Sequence, residues 1–223
     1  MSTNEAIDVS DEAAWRARAV DRSTQSTRER AAVRVQQFLD AARAAIAENG
    51  SGDITVQEVV DRSGQSLRSF YQYFDGKHEL LLALFEEEVS IAATEIEAAT
   101  RHGDPLERLE AGTRLLFELC APSRVSVRLF SDFTRRLVVD HRDEVIAASA
   151  PLIGCIASLV AACADAGLLR PGRTSRHTSL LLQVATATEA RHAAGHDPLS
   201  EDEIWDFCLH AVVPDSVLAA RRA

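Results

Sequence analysis

Residues 54–89 read ITVQEVVDRSGQSLRSFYQYFDGKHELLLALFEEEV and decide the fold of this chain. Thr55 and Glu58 have the spacing of a capping box, in which two residues satisfy each other's backbone at the start of a helix. Ser63-Gly64 is typical of a helix end, and residues 67–73 can form a second short helix directly afterwards. Two short helices joined by a tight turn that contains glycine predict a helix-turn-helix.

Longer helices are predicted on both sides of this motif. A capping box at residues 26–29 is expected to open a helix that ends near Asn49, and this leaves residues 1–25 as a mobile N-terminal arm. After the motif, Asp75 is placed to cap a helix that begins at Gly76. Apolar residues recur at helical spacing in both long helices, which indicates that each helix buries one face.

The remaining sequence is also helical in character and shows no strand-type alternation. Five further helices are predicted between the helix breakers. The first opens at Asp104-Pro105, and the next three span Val125–Val139, Asp143–Ala166 with an internal Pro151, and Thr174 to about Ala194. The last runs from Ser200 to about Val213 and is followed by a C-terminal tail at residues 214–223. The predicted fold class is all-α, with a three-helix N-terminal helix-turn-helix domain and a larger C-terminal helical domain.

Charge and hydropathy restrict the class of protein. The net charge is −10, but residues 26–80 are nearly neutral and most of the acidity lies in residues 81–223. The longest apolar run, Leu152 to Ala164, is 13 residues, which is short for a membrane span, and the N-terminus is polar. These features predict a cytoplasmic protein that makes no membrane contact.

The second short helix has one face suited to packing and one suited to contacts outside the domain. Ser66 can cap it, and Phe70 and Phe74 at i, i+4 spacing should lie inward. The outward positions are then Leu67, Arg68, Ser69 and Gln72. Arginine can contact guanine in two places and glutamine adenine, so this face suits base reading in the major groove of DNA, although ordinary solvated surface is the alternative.

Two features suit contacts to DNA phosphates. Lys77, the only lysine in the chain, lies at a helix N-terminus, where free amides and the helix dipole already favour an anion. Thr55 has the corresponding place on the preceding helix. Arg28 and Arg30 belong to the densest basic run and are candidates for a DNA-contacting arm, with a solvated helix face as the equal alternative.

The same stretch resembles the DNA-binding segment of TetR-family transcriptional regulators. The shared elements are a threonine before an amphipathic helix, a small residue with glycine in the turn, a Tyr-x-Tyr-Phe run, a lysine and an acidic-Leu pair; here they are Thr55, Ser63-Gly64, Tyr71 to Phe74, Lys77 and Glu79-Leu80. Arg68 stands where many relatives have a small residue, and Gln65 and Phe70 stand where they have aliphatic ones. An operator sequence therefore does not transfer from a relative.

The resemblance implies a function and a set of partners. It implies that Thr55, Tyr71, Tyr73 and Lys77 contact the DNA backbone of a double-stranded operator. It implies a DNA-binding domain at residues 26–75 and a ligand-binding and dimerisation domain at residues 76–213. The chain would form a homodimer that binds a palindrome and responds to a small-molecule effector, without a cofactor.

Candidates in the C-terminal domain follow from apolar helices and the polar residues within them. The candidates for an effector pocket are Phe117, Phe130, Phe133, Arg114, Arg128 and Gln183, with core packing or surface exposure as the alternative for each. The last two helices are apolar over a wide arc, which favours a buried helix–helix contact. The candidates for a dimer interface in these helices are Leu181, Ile204, Trp205 and Cys208.

Other functions remain open at this point. Repression is the commoner mode of the family, and transcriptional activation is the alternative. A metal-dependent enzyme is the main competitor, because His192-x-x-x-His196 has ligand spacing and His141 lies near Asp140, Asp143 and Glu144. No third ligand follows from the His192 spacing, so the sequence predicts neither a metal site nor an enzyme.

Overall fold

The computed structural model describes residues 9–49, 53–120, 141–193 and 200–222. Within these ranges the chain forms nine helices and no strand: α1 Val9–Asn49, α2 Val56–Ser63, α3 Leu67–Tyr73, α4 Lys77–Ala99, α5 Pro105–Leu119, α6 Arg142–Asp165, α7 Thr174–Ala193, α8 Glu201–Val212 and α9 Asp215–Arg222. The predicted all-α class is confirmed. The helix predicted at 125–139 lies outside the described residues.

The first helix is much longer than predicted. It begins at Val9 rather than at the capping box of residues 26–29, so the predicted start is wrong. The reason is that residues 9–25 contain neither glycine nor proline and are rich in Ala and Arg, which favour continued helix over a break at Ser26. The C-terminal half of α1 buries its inner face, with Phe38, Ala42 and Ile46 fully inaccessible.

Helix α4 connects two hydrophobic cores. Its first turns give Leu80, Leu81 and Leu84 to an N-terminal core that also contains residues from α1, α2 and α3. Its last turns give Ala93 and Ile96 to a C-terminal core built from α5 to α9. One rigid helix therefore takes part in packing both halves of the molecule.

The start of α4 differs from the prediction. Its N-cap is Gly76 and no side chain caps it, so the assignment of Asp75 as the cap is wrong. The backbone N–H of Asp75 instead donates a hydrogen bond to the Glu79 carboxylate. The Glu79 side chain, in the first turn of α4, thus fixes the backbone of the residues just before the helix.

The middle of α4 packs against α6. Phe85 and Val89 are buried with Val145 and Ala148, and the partly buried Leu152 extends this contact. We call this set of residues the α4–α6 seam. The seam joins the segment that follows the helix-turn-helix to the C-terminal core.

The C-terminal core depends on close helix contacts. Asp104 caps α5 with both halves of a capping box, and Pro105 follows, as predicted. In α5, a methyl group added at Gly112 would lie 2.5 Å from Leu159 Cδ1, so glycine allows α5 and α6 to approach. Residues 214–223 were predicted to be a tail, but 215–222 form α9 and Leu218 is buried in this core.

Helix α6 is long and apolar enough to cross a membrane by length and composition. The core helix of a soluble protein passes the same test. Here α6 packs against α5 and, through the α4–α6 seam, against α4. Its residues Ile156, Leu159 and Val160 are buried in the C-terminal core. Packing within the chain accounts for part of its apolar composition, while Ile146 and Ile153 stay exposed.

Candidate nucleic-acid interface

The start of α2 is fixed by the capping box at Thr55 and Glu58. The Glu58 backbone N–H donates to Thr55 Oγ1 over 3.1 Å, and the Thr55 backbone N–H donates to Glu58 Oε2 over 2.7 Å. The Thr55 hydroxyl also donates to Glu58 Oε2 over 2.9 Å. These hydrogen bonds from the backbone and side chain of Thr55 lower the pKa of Glu58. The carboxylate is therefore held charged next to the positive end of the helix dipole.

The turn between α2 and α3 follows from its residue types. Gly64 has φ +66°, a left-handed conformation that glycine adopts without steric cost. Ser66 then caps α3, because its side chain accepts a hydrogen bond of 3.1 Å from the Ser69 backbone N–H. The Gln65 side chain donates to Gln37 Oε1 over 2.8 Å, which fastens the turn to α1.

The inner side of α3 packs on α1 through three phenylalanines, Phe38 of α1, Phe70 of α3 and Phe74 at the end of α3. Phe70 is fully buried, and its ring centroid lies 5.5 Å from that of Phe38, at nearly a right angle. Phe74 lies 6.1 Å from Phe38 and is also buried. Edge-to-face contacts of this kind add stability beyond burial and restrict the orientation of the rings. The inward positions predicted for Phe70 and Phe74 are confirmed.

The opposite face of α3 is open to solvent. The exposed residues on it are Leu67, Arg68, Tyr71 and Gln72, with Leu67 at 44% and Tyr71 at 57% exposure. Among the described residues, the side chains of Arg68 and Gln72 make no hydrogen bond or ion pair. The donors and acceptors that suit base edges are therefore available without breaking an interaction in the protein.

Ser69 does not belong to this open face. Its hydroxyl oxygen is buried and has no hydrogen-bond partner in the described part of the chain. The prediction that Ser69 points outward with Arg68 is wrong for its hydroxyl group, which is buried on the side of the helix that also carries Phe70. Leu67, Arg68 and Gln72 are the members of the predicted base-reading set that are exposed on this face, and their contact with bases stays a prediction.

The four residues assigned to the DNA backbone lie in different local environments. Tyr71 is exposed, whereas Tyr73 is half-buried and packs against the N-terminal core. The Thr55 hydroxyl is engaged by Glu58, so a phosphate contact requires it to redirect its proton. Lys77 lies in the first turn of α4, with its Nζ 3.6 Å from Asp53 Oδ1. A surface pair at that distance is weak and leaves the ammonium group available to a phosphate.

Arg28 and Arg30 are exposed on α1, ahead of its buried segment. They are part of a continuous helix rather than of a mobile arm. The helix fixes the backbone of both residues relative to the N-terminal core, and their side chains extend into solvent. Their contact with DNA stays a prediction.

Sequence reasoning missed the contacts that hold α1 on α4. Arg43 places Nη2 2.6 Å from Glu87 Oε2 and Nε 2.8 Å from Glu88 Oε1. Partial desolvation opposes its charge, but hydrogen bonds to both carboxylates prevail and raise the pKa of Arg43. The bidentate pair between Arg62 and Glu48 similarly ties α2 to α1. The members of these pairs are 14 to 45 residues apart in the sequence. Their opposite charges were therefore the only signal in the sequence that could have indicated the pairing.

The effector-pocket candidates are scattered. Phe117 is buried in the C-terminal core, but Arg114 forms ion pairs with Glu110 over 3.0 Å and Asp202 over 2.6 Å. Gln183 is exposed. Phe130, Phe133 and Arg128 lie outside the described residues. Of the described candidates, Phe117 alone has the burial that a pocket-lining residue needs.

The dimer-interface candidates are misplaced. Leu181, Ile204, Trp205 and Cys208 are each less than 5% exposed and lie inside the C-terminal core of a single chain. Their assignment to a subunit interface is wrong, because the wide apolar arc of α7 and α8 covers α5 and α6 first. Burial of Cys208 raises the pKa of its thiol to about 11. Among the described side chains of α7 and α8, the large apolar ones that remain exposed are Leu180 at 47% and Phe207 at 66% exposure.

One further set of polar side chains comes together away from α3. His141 lies beside Glu144, as its sequence position suggested, and the structure adds His78 from α4. His78 was missed because it is far from both in sequence. The His192 spacing remains untested, since His196 lies outside the described residues.

Comparison with known proteins agrees with this geometry. Residues 38–84 match the model of a family of bacterial regulatory proteins, the tetR family. That span coincides with the N-terminal core, from its first buried phenylalanine in α1 to Leu84 in α4. The matched family consists of regulators rather than enzymes. No curated protein sequence matches the chain significantly.

Solved structures with the same fold include three regulators. The fatty acid degradation regulator FadR of Bacillus halodurans has a TM-score of 0.64 at 18% identity, over 78% of this chain and 97% of its own. FadR of Bacillus subtilis, in complex with stearoyl-CoA, has a TM-score of 0.61 at 16% identity, over 78% and 97%. The ketosteroid regulator KstR2 of Mycobacterium tuberculosis has a TM-score of 0.53 at 20% identity, over 81% and 95%. At these identities the likeness concerns the fold.

Proposed function

We propose that this chain, whose residues 38–84 match the tetR family of bacterial regulatory proteins, is a homodimeric repressor that leaves a palindromic DNA operator when a small, largely apolar effector binds. The observation that carries the DNA-binding part is the outer face of α3. Arg68 and Gln72 are exposed there on a helix that packs on α1 through the three phenylalanines. A rigid helix with uncommitted base-reading side chains is what major-groove recognition requires.

The division of labour on this surface is specific. Leu67, Arg68 and Gln72 read bases, and Thr55, Tyr71, Tyr73 and Lys77 hold the backbone. The N-terminal segment is nearly neutral, so a single copy supplies little nonspecific attraction to DNA. Two copies of α3 in one dimer, about 34 Å apart, would supply the affinity by binding successive major grooves. Arg28 and Arg30 add backbone contacts from α1.

The test begins by selecting bound sequences from a random duplex library and measuring affinity by fluorescence anisotropy. The variant Arg68→Ala should cost about 1–3 kcal/mol per half-site and relax selection at one base pair of each half-site. Lys77→Ala should weaken binding to all sequences alike and reduce the salt slope by about one for each phosphate that the lysine neutralises. Arg101→Ala, exposed beyond the end of α4, is the control and should bind normally. Equal binding of all sequences by the unmodified chain contradicts the proposal.

The dimer interface is proposed on the outer face of α7 and α8. In a single chain the large apolar side chains of Leu180 and Phe207 are exposed to solvent on this face. Contact with a second copy of the chain would bury them. Phe207→Asp should yield a monomer in light scattering and a large loss of operator affinity, with unchanged helical content. A variant that stays dimeric places the interface elsewhere.

The effector is proposed to bind next to the C-terminal core. The fold is shared with FadR in complex with stearoyl-CoA and with the ketosteroid regulator KstR2. Thr113 in α5 supports a polar contact, because it is fully buried and its Oγ1 has no hydrogen-bond partner in the described residues. An unsatisfied hydroxyl in an apolar core costs free energy unless a ligand satisfies it.

Titration with acyl-CoA and with steroids, followed by calorimetry and operator release, tests the effector class. Thr113→Val keeps the side-chain shape and removes the hydroxyl. It should raise the thermal midpoint of the free protein and weaken effector binding; a variant with unchanged affinity removes Thr113 from the site. A promoter-reporter assay separates repression from activation. The proposal also includes a cytoplasmic location, because the protein must reach its operator.

A further inference from the structure

We propose that His78, His141 and Glu144 form a binding site for a divalent transition metal of the zinc class. The three side chains come from two helices that are far apart in sequence. His78 is in the first turn of α4, His141 is the N-cap of α6, and Glu144 is in the first turn of α6. The described ligand atoms all lie within 4.8 Å of one another.

The Glu144 carboxylate faces both imidazole rings. Its Oε1 lies 3.2 Å from His141 Nδ1, and its Oε2 lies 3.4 Å from His78 Nε2. A metal ion would take the place of the ring N–H protons, so that His141 Nδ1, His78 Nε2 and a Glu144 oxygen would each direct a lone pair toward one region.

The spacing suits a tetrahedral ion. With metal–ligand bonds of about 2.0–2.1 Å, neighbouring ligand atoms of such an ion are about 3.4 Å apart. The two histidine–carboxylate distances are near that value, and each involves a different oxygen of Glu144. The ring centroids of His78 and His141 are 3.7 Å apart with planes 30° from parallel, so the rings would turn out of this stacked arrangement for their in-plane lone pairs to meet at one ion.

The donor types select the class of metal. Two imidazole nitrogens and one carboxylate favour zinc and its neighbours over magnesium or calcium, which prefer sets of oxygen ligands. The three side chains are 35–52% exposed, so an ion can enter and water can complete the coordination. Three protein ligands and one open position are the arrangement of an accessible site rather than of a closed structural one.

The position of the site connects it to the rest of the molecule. The α4–α6 seam starts one residue after Glu144, at Val145. The residue before His78 is Lys77, which the proposed function assigns to a DNA phosphate. An ion held by both helices would fix the N-terminus of α4 against α6. This coupling to DNA rests on the proposed function, whereas metal binding itself does not.

The binding test uses the untagged full chain with its cysteines reduced. Calorimetry with Zn²⁺ should give one ion per protomer, and zinc should raise the thermal midpoint because it binds the folded state. His141→Ala and His78→Ala should each weaken Zn²⁺ binding at least about tenfold. Glu144→Gln, which keeps the shape of the side chain, should do the same. His102→Ala, at an exposed position beyond α4, is the matched control and should bind like the unmodified chain.

Spectroscopy identifies the ligands. Co²⁺ in place of Zn²⁺ should give visible ligand-field bands without thiolate charge transfer, and the bands should vanish in His141→Ala. Circular dichroism confirms that each variant is folded. Unchanged affinity in all three variants, or a thiolate signature, overturns the proposal, since the ion would then be bound elsewhere.

The coupling is measured by operator anisotropy with and without Zn²⁺. A shift in operator affinity that disappears in His141→Ala supports the coupling, and an equal affinity in both conditions removes it. Failure of the proposed function is separate, because it would appear as sequence-independent binding by the unmodified chain without any metal.

Discussion

The two hydrophobic cores joined by α4 are built differently. The N-terminal core contains three phenylalanines in mutual contact, and its residues come from a short continuous stretch of chain. The C-terminal core is mainly aliphatic, with Phe117 and Trp205 as its large rings, and it collects residues from α4 to α9. The first core is specified largely by local sequence signals, whereas the second depends on which distant helices meet. The residues that match the family model, 38–84, are those of the first core, whereas the second core resembles solved structures in fold alone.

The largest expected effect separates the two cores. Phe70→Ala removes a fully buried ring from the N-terminal core and should cost about 3–5 kcal/mol of unfolding free energy. It should abolish operator binding while the dimer persists in light scattering. The matched change Leu116→Ala in the C-terminal core should cost about 2–5 kcal/mol and leave operator binding by the folded fraction intact. Identical loss of both properties in the two variants would show that the cores unfold as one unit.

Close helix approach distinguishes the C-terminal core. Gly112→Ala would place a methyl group 2.5 Å from the buried Leu159 and should cost about 1–3 kcal/mol through overpacking. Gly154→Ala is the control, because nothing lies within 4 Å of its added methyl group. It should be neutral or stabilising by up to about 1 kcal/mol through helix propensity. Urea denaturation measures both; a neutral Gly112→Ala would mean that Leu159 has room to move.

Capping boxes should matter equally in both halves. Thr55→Ala at α2 and Ser200→Ala at α8 each remove a side-chain acceptor from the first turn, and each should cost about 1 kcal/mol. Thermal unfolding of the two variants gives the comparison. A much larger loss for Thr55→Ala would indicate that the short α2 depends more on its cap than the better-packed α8 does.

Alkaline pH should affect the C-terminal core through Cys208. Burial raises the pKa of this thiol to about 11, from 9.0 in the unfolded chain. The folded-state pKa is the higher one, so the contribution to stability is complete below pH 9 and is lost as the pH rises toward 11. At pH 10 the loss should be about 1 kcal/mol. Cys208→Ala should flatten the pH dependence between 9 and 11 relative to the unmodified chain, whatever its effect on stability at pH 7.

The local signals in the sequence predicted the helix-turn-helix well. The capping box at Thr55, the left-handed Gly64 and the Ser66 cap each depend on residues within three positions, so the sequence contains the whole interaction. The same kind of signal misled at residues 26–29. A capping box marks a helix start only where the preceding residues leave the helix, and nothing in residues 9–25 makes them do so.

The errors at the site have a different cause. Helical periodicity shows that a side chain faces apolar surroundings, but it does not show whether those belong to the same chain or to a second copy. Trp205 and Cys208 were therefore assigned to a dimer, although they pack within one protomer. Ser69 was predicted to point outward because a helical wheel does not show how much of the surface of α3 is covered by the neighbouring helices.

The sequence by itself determined the helical class, the turn geometry and the exposure of Arg68 and Gln72, to which the proposed function assigns base reading. These follow from caps, glycine conformation and residue spacing, which act over a few positions along the chain. The tertiary structure alone decided that α4 belongs to two cores, that Arg43 pairs with Glu87 and Glu88, and that His78 meets His141 and Glu144. Those contacts depend on how whole helices pack, because residues far apart in sequence become neighbours only when burial of many side chains fixes the helices against one another.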